Sequence, residues 1–228
     1  MANATHHAPL SGPSLPPAGG GKPSSLVVLL HGLGADGADL IGLGAAWAQA
    51  LPHTAFVAPN APFPCDFAPS GRQWFSLKDY DESAILAALA AVTPALDTYI
   101  DTQLANCRLS GRDLALVGFS QGAMLALHAG LRRNPRPSGI VGYSGFLVGA
   151  ESLPHRHDDP PAVLLVHGDQ DQVVSPHFMP AAAAALHAAH IPVQALARPD
   201  LGHGIDDAGV EAGLQLLLHA FARNRPIA

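Results

Sequence analysis

In the stretch LALVGFSQGAML, residues 114–125, one serine stands between two glycines as Gly118-Phe119-Ser120-Gln121-Gly122. An alcohol is a weak nucleophile at neutral pH and reacts only when it is exposed, desolvated and paired with a base. A sharp turn from a buried strand into a helix supplies the exposure by lifting the hydroxyl above the sheet edge. Small flanking residues relieve the crowding that such a strained turn creates. The residues before Ser120 read as a buried strand and those after it as a helix, which distinguishes the motif from an ordinary glycine turn. That helix also aims backbone N–H groups and a positive dipole end at the reacting centre. Ser120 is the candidate nucleophile.

A base and an orienting acid must follow, and after a turn of this type the order is Ser, then Asp or Glu, then His. The chain carries 13 histidines. His6 and His7 fall in an expected tail, and His31, His53 and His128 precede any such acid. His187, His190 and His219 fall on or beside expected helices, where a packed or solvated ring is the ordinary role. His167 precedes a glycine at a strand end and reads as shaping a turn. His203 stands apart in RPDLGHGIDD, between Gly202 and Gly204, after the final strand and before the last helix. A loop of that kind carries an imidazole over the nucleophile, so His203 is the candidate base.

Two residues compete for the acid. LLVHGDQDQVVS presents Asp169 and Asp171 just beyond a strand end. Asp169 directly follows Gly168 and suits holding the turn, whereas Asp171 lies further along with more freedom to reach the imidazole. Residue chemistry leaves both open. The oxyanion of an acyl transfer also needs N–H donors. Gln121, the residue after the serine, supplies one. Leu33 in LLHGLGADG supplies the other, with Gly32 and Gly34 permitting unusual dihedrals around it.

These residues need a scaffold that brings distant segments to one edge. SLVVLLHG, TAFVAP, DLALVGFS, SGIVGYSG, PAVLLVHGD and VQALA are apolar runs suited to strands covered on both faces. Between them lie expected helices at Ala38–Ala50, Glu82–Leu104, Gln121–Arg133, Pro176–Ala189 and Asp206–Arg223. Pro94 is expected to kink or divide the second, and Asp206 or Asp207 to cap the last. Alternating strands and helices indicate an α/β sheet, read as one domain over residues 1–228. Residues 1–24 read as a loosely structured lead-in with room for a short edge strand. PNAPFPCDFAPSGRQWFSLKDYD is a long irregular segment, a feature usually tied to function.

Composition narrows the class. Of 228 residues, 48% are hydrophobic and 13% charged, which argues for a packed globule rather than disorder. The formal net charge of −6 and the lack of a basic stripe argue against nucleic acid and anionic membrane surfaces as partners. Cys65 and Cys107 form neither a disulfide framework nor a metal knuckle. The N-terminus lacks the pattern of a secretory signal, and apolar runs such as ILAALAAV fall short of the roughly 18 residues a membrane span needs. The expectation is a cytoplasmic protein without stable membrane insertion, monomeric or homodimeric. HRHDD, residues 155–159, is the one stretch that suggests a metal, but it lacks regular ligand spacing, so no metal or other cofactor is expected.

LLHGLGADG, PNAP, VGFSQGAML and HGDQDQVV, followed by GHG, together resemble the phospholipase/carboxylesterase family of α/β-hydrolases, which includes the acyl-protein thioesterases. The resemblance extends in order from about Leu10 to Phe221. It implies the α/β-hydrolase fold, a mostly parallel central sheet with helices on both faces and no large lid domain. It assigns the nucleophile to Ser120, the base to His203 and the oxyanion donors to Leu33 and Gln121. It also resolves the acid in favour of Asp171, and it implies no cofactor or metal. GRQWFSLKD resembles the bacterial carboxylesterase branch more than the eukaryotic thioesterases. There Trp74 and Phe75 are candidates for the acyl pocket, with anchoring of a long loop as their competing role.

The expected activity is a serine carboxylic-ester hydrolase acting on small acyl esters, with lysophospholipids and acyl thioesters as further candidate substrates. Three other readings compete. A dienelactone-hydrolase-like enzyme requires a cysteine at the elbow, where this chain has Ser120. A non-catalytic binding module on the same scaffold requires no intact triad. A metal-dependent hydrolase rests on HRHDD and on the general richness in histidine.

Overall fold

The computed structural model describes residues 9–78, 81–153 and 159–223. In chain order its elements begin with strands β1 (Ser14–Leu15) and β2 (Ser25–Leu30), helix α1 (Gly37–Trp47) and strand β3 (Thr54–Val57). The short strands β4 (Phe63–Pro64) and β5 (Arg72–Gln73) follow, then α2 (Glu82–Cys107), β6 (Leu114–Phe119), α3 (Gln121–Arg132) and β7 (Gly139–Tyr143). The chain then continues through β8 (Ala162–Gly168), α4 (Phe178–Ala188), β9 (Val193–Arg198) and α5 (Asp207–Ala222). The main sheet has the order β1-β3-β2-β6-β7-β8-β9. Its strands are parallel except for β1, the short edge strand of the lead-in, which pairs antiparallel with β3. The long irregular segment is not wholly irregular, because β4 and β5 pair within it as a hairpin.

Alternation along each strand feeds two cores. Leu26, Val28 and Leu30 of β2 join one, and Val27 and Leu29 join the other. Helices α2, α3 and α4 close the first, through residues such as Leu89, Leu125 and Leu186. Helices α1 and α5 close the second, through Leu40, Trp47, Leu216 and Leu217. Burial on both faces explains why β2, β3, β6, β7 and β8 read as unbroken apolar runs, whereas β9, which carries VQALA, lies at the sheet edge and is not covered on both faces. Asp206 caps α5, its carboxylate accepting the Gly209 N–H at 2.8 Å.

Of the two expectations for Pro94, division does not occur, because helix α2 continues through it as one 26-residue helix. Buried residues on both sides of the proline hold it in place, Ile85, Leu89 and Val92 before it and Leu96, Tyr99, Ile100 and Leu104 after it. The Thr93 hydroxyl donates to the Leu89 carbonyl at 2.7 Å, whereas the carbonyl that Pro94 cannot serve is that of Ala90. By length and composition α2 also qualifies as a membrane span, with a mean hydropathy of 1.5 over its most apolar 18 residues. The sequence reading missed this by counting only uninterrupted apolar runs. In this fold the apolar stripe of α2 lies against the core, and Arg133, just past α3, pairs with Asp97 and Asp101 on α2.

The order of the sheet determines where the site lies. From β2 the chain passes through α1 to β3 on one side, while β6 lies on the other side and leads away to β7. Connections reverse between β2 and β6, and a crevice opens beyond the carboxyl ends of strands at such a point. The loop carrying Leu33 follows β2, and Ser120 follows β6.

Candidate active site

Ser120 sits on the turn between β6 and α3 with φ 52° and ψ −117°, in a region that side chains other than glycine rarely occupy. Hydrogen bonds on both sides hold it there. Its N–H donates to the Tyr143 carbonyl at 2.8 Å, and its own carbonyl accepts from the Ala123 and Met124 N–H groups at 3.0 and 3.2 Å. The flanking glycines are required by crowding. A Cβ on Gly118 would lie 2.2 Å from the Gly122 carbonyl oxygen, and one on Gly122 would lie 1.9 Å from that of Leu30. Both obstacles are backbone atoms that cannot swing aside. Gly122→Ala is therefore expected to cost about 3 kcal/mol, as severe overpacking does. Thermal denaturation should show a melting point lower by on the order of 10 °C, and an unchanged one would contradict this packing.

His203, in the loop between β9 and α5, faces the hydroxyl. Its Nε2 lies 3.0 Å from Ser120 Oγ, and its Nδ1 lies 2.7 Å from Asp171 Oδ2. An ionised carboxylate only accepts, so Nδ1 carries the ring proton and Nε2 is free to accept the Ser120 hydroxyl proton. The Phe119 ring packs against the imidazole with centroids 4.9 Å apart.

Asp171 is buried, and its Oδ1 accepts the Val173 and Val174 N–H groups at 2.8 and 2.9 Å. Burial by itself would push the carboxyl upward. The hydrogen bonds from His203, Val174 and Val173 outweigh it, and the group is shifted below its ordinary value. Asp169 performs the other task the sequence allowed for it. Its carboxylate accepts the Asp200 N–H at 2.9 Å, which ties the loop after β8 to the turn after β9. The two loops pack so tightly that a Cβ on Gly168 would lie 2.2 Å from the Leu201 carbonyl oxygen. Gly202 and Gly204, by contrast, have open space around them, so the close approach that positions His203 depends on Gly168.

The β2–α1 loop brings Leu33 to the same edge. Gly34 has φ +82°, the left-handed conformation expected of it, and its N–H donates to the Arg72 carbonyl at 2.9 Å. Gly32 serves through its small size, since a Cβ there would lie 3.0 Å from the Phe119 ring and 3.4 Å from Ser120 Cβ. Gln121 opens α3, where a backbone N–H has no acceptor within the helix.

Two side-chain roles that the sequence reading did not assign hold this site in place. The buried His31 ring has Nδ1 2.8 Å from the Gly32 carbonyl and accepts the Ala61 N–H on Nε2 at 3.0 Å. A carbonyl only accepts, so Nδ1 carries the proton. Burial, the largest influence on His31, lowers its pKa and keeps the ring in the neutral form this bridge requires. The Gln121 side chain, fully buried, accepts the Trp74 N–H at 2.8 Å and donates to the Phe75 carbonyl at 2.8 Å. Neither role leaves a local signal, because Ala61 lies 30 residues from His31, and Trp74 and Phe75 lie 47 and 46 residues from Gln121.

Trp74 and Phe75 are buried in the α2–α3 core, and the Trp74 indole donates to the His31 carbonyl at 2.9 Å. Their packing and hydrogen bonds anchor the loop. An apolar cavity of about 350 Å³ has other walls, among them Ile85, Phe146, Leu147, Phe178 and Ala182, with the Glu82 carboxyl beside them. Phe146 stacks on Phe178 with centroids 4.7 Å apart. Phe146 follows Gly145, where a Cβ would lie 2.9 Å from the Ser120 carbonyl oxygen, so this wall begins next to the nucleophile turn. Among the described residues no group of three or more His, Cys, Asp or Glu is arranged to hold a metal. Residues 155–158 of HRHDD lie outside the described residues, and Asp159 pairs with Arg112 and Arg223.

Comparison with known proteins points the same way. The family model described as phospholipase/carboxylesterase matches residues 17–217. Esterase YpfH of Escherichia coli (strain K12) is 30% identical over 207 residues, covering 89% of this chain and 86% of that protein. Acyl-protein thioesterase 1 of Schizosaccharomyces pombe is 31% identical over 188 residues, covering 77% of this chain and 81% of the relative. The crystal structure of esterase PE8 superposes with a TM-score of 0.87 at 40% identity, covering 93% of this chain and all of that one. The chain belongs to the phospholipase/carboxylesterase family and is a hydrolase of the carboxylesterase/thioesterase type.

Proposed function

We propose that the protein hydrolyses small acyl esters through an acyl-enzyme on Ser120. The observation that carries this reading is the hydrogen-bonded succession from Ser120 Oγ to His203 Nε2 at 3.0 Å and from His203 Nδ1 to Asp171 Oδ2 at 2.7 Å. The Ser120 hydroxyl attacks the acyl carbonyl while His203 Nε2 takes its proton, and Asp171 stabilises the imidazolium. The tetrahedral oxyanion lies against the Leu33 and Gln121 N–H groups. As the intermediate collapses, the bond to the leaving oxygen or sulfur breaks and His203 protonates that atom. Water then attacks the acyl-Ser120 ester, gives its proton to His203, and releases the carboxylic acid and free serine.

The acyl chain is assigned to the cavity bounded by Phe146 and Phe178. Its volume of about 350 Å³ is near the lower end of the roughly 300–1,000 Å³ typical of ligand sites, which favours short and medium chains over palmitate. Each methylene that becomes buried contributes about 0.8 kcal/mol, or roughly fourfold in kcat/KM. A p-nitrophenyl ester series is therefore expected to rise from acetate by up to about fourfold per methylene and to fall again before palmitate. An acyl thioester of the favoured length, run beside it, reads the leaving-group preference. A flat profile, or one still rising at palmitate, would remove the cavity assignment. A dienelactone-hydrolase-like mechanism lacks its nucleophile here, because the strained elbow position is a serine.

A further inference from the structure

His167 is a buried ionisable side chain that the mechanism above leaves without a task. It stands near the end of β8 with 2% of its surface exposed. Its Nε2 lies 2.9 Å from the Val174 carbonyl oxygen and 3.1 Å from Asp171 Oδ2. A carbonyl and an ionised carboxylate both only accept, so Nε2 carries a proton, which it donates to the Val174 carbonyl. The carboxylate oxygen that receives the His203 Nδ1–H thus has a second imidazole nitrogen beside it, at 3.1 Å. Among the described residues, the Val173 and Val174 N–H groups on Oδ1 and His203 on Oδ2 are the three hydrogen-bond donors on the Asp171 carboxylate, and His167 stands in close electrostatic contact with it.

We propose that His167 is a positioning residue for this reaction, acting on His203 through Asp171. By donating to the Val174 carbonyl it holds the turn whose N–H groups bind Oδ1, which fixes the plane of the carboxylate so that Oδ2 meets His203 Nδ1 in line. Its proton-bearing Nε2, 3.1 Å from Oδ2, also draws charge away from that oxygen and so moderates how strongly Asp171 holds the His203 imidazolium. The proposal rests on the reading that Asp171 orients His203. The ionisable groups facing the carboxylate are His203, from the loop after β9, and His167, from β8. Asp169, on the same loop as Asp171, is engaged with the Asp200 N–H. On the far side of the imidazole stand the Ser120 hydroxyl and the Phe119 ring.

The test compares His167→Leu, which removes the donor, with His167→Gln, whose amide nitrogen reaches a similar point. The kcat/KM–pH profile is measured on p-nitrophenyl acetate, and active sites are counted by fluorophosphonate titration so that misfolded protein does not enter kcat. In His167→Leu, kcat per active site is expected to fall about tenfold through lost orientation, with KM within about twofold of wild type. Without the positive end of that N–H beside it the carboxylate becomes more basic and holds the imidazolium more firmly. The acid limb of the profile should then move up by about half a pH unit. His167→Gln should return both values toward wild type. An unmoved acid limb in His167→Leu, whatever happens to kcat, would overturn the proposal and leave a packing role. Asp171→Asn, assayed in parallel, separates the two ideas. Near-wild-type turnover in that variant would defeat the triad reading itself, whereas an inert Asp171→Asn beside an unaltered His167→Leu would defeat only this one.

Discussion

Ser120→Ala should lower kcat/KM for a p-nitrophenyl ester by on the order of 10⁵- to 10⁶-fold and abolish labelling by a fluorophosphonate. The size of the loss follows from the geometry. The hydroxyl is the only group on the elbow that His203 Nε2 faces, at 3.0 Å, and alanine leaves nothing for the imidazole to activate. The fold should survive the change. The hydrogen bonds that hold the turn use the backbone of residue 120 and not its side chain. Alanine adopts φ 52° no more easily than serine, so the strain is unaltered. Stability within about 0.5 kcal/mol of wild type, together with lost turnover, would separate a chemical role from a structural one. A folded Ser120→Ala protein that retains wild-type esterase activity would place the chemistry elsewhere.

Asp171→Asn carries the second large effect, a fall in kcat of about 10⁴-fold. An amide can present its NH₂ group toward His203, which favours the tautomer with the proton on Nε2. That nitrogen then faces Ser120 as a donor and cannot take the hydroxyl proton. The same substitution tests stability with a definite sign. The Asp171 carboxyl is shifted below its ordinary value, so its ionised form favours the folded state. That contribution is fully present above the unfolded value of about 3.9 and is lost as pH falls through the lower folded value. Denaturant titrations should therefore find the gap between wild type and Asp171→Asn constant near neutrality and shrinking below about pH 4. Asp169→Asn is the control, because Asp169 holds only the Asp200 N–H and should leave kcat within about tenfold of wild type. Equal damage from both variants would mean that the loop as a whole matters, and not the one carboxylate.

Together these expectations describe a site in which few groups react and several hold them in place. Gln121 illustrates the economy. Its backbone opens α3 beside the nucleophile, while its side chain clamps the Trp74–Phe75 segment at 2.8 Å on either side. His31 does similar work for the loop bearing Leu33, and the geometry at His167 extends the same pattern to the acid.

Much of this was legible in the amino-acid order alone, for a physical reason. A serine between glycines at a strand-to-helix junction, an apolar run buried on both faces and an aspartate before a helix are local events, decided by neighbours within a few residues. They pointed to Ser120 as the candidate nucleophile, to the parallel sheet, and to a cap at Asp206 or Asp207, of which the structure uses Asp206. His203 was legible as the candidate base because a glycine-flanked loop after the last strand has few other uses. The choice between Asp169 and Asp171 was different, since both sit on one loop with similar local chemistry. Family resemblance favoured Asp171, but only the packing of the β8 and β9 loops shows why the other is occupied. Local rules allowed Pro94 to divide α2, but contacts on both sides of the proline kept the helix continuous. They did not assign roles to the His31 ring or the Gln121 side chain, and they left the roles of Trp74 and Phe75 undecided. The distant partners decide these, since Ala61 lies 30 residues from His31 and Trp74 and Phe75 lie 47 and 46 from Gln121, which leaves no trace in the local pattern. His167 is a nearer case, read as shaping a turn, and its bond to the Val174 carbonyl does span that turn.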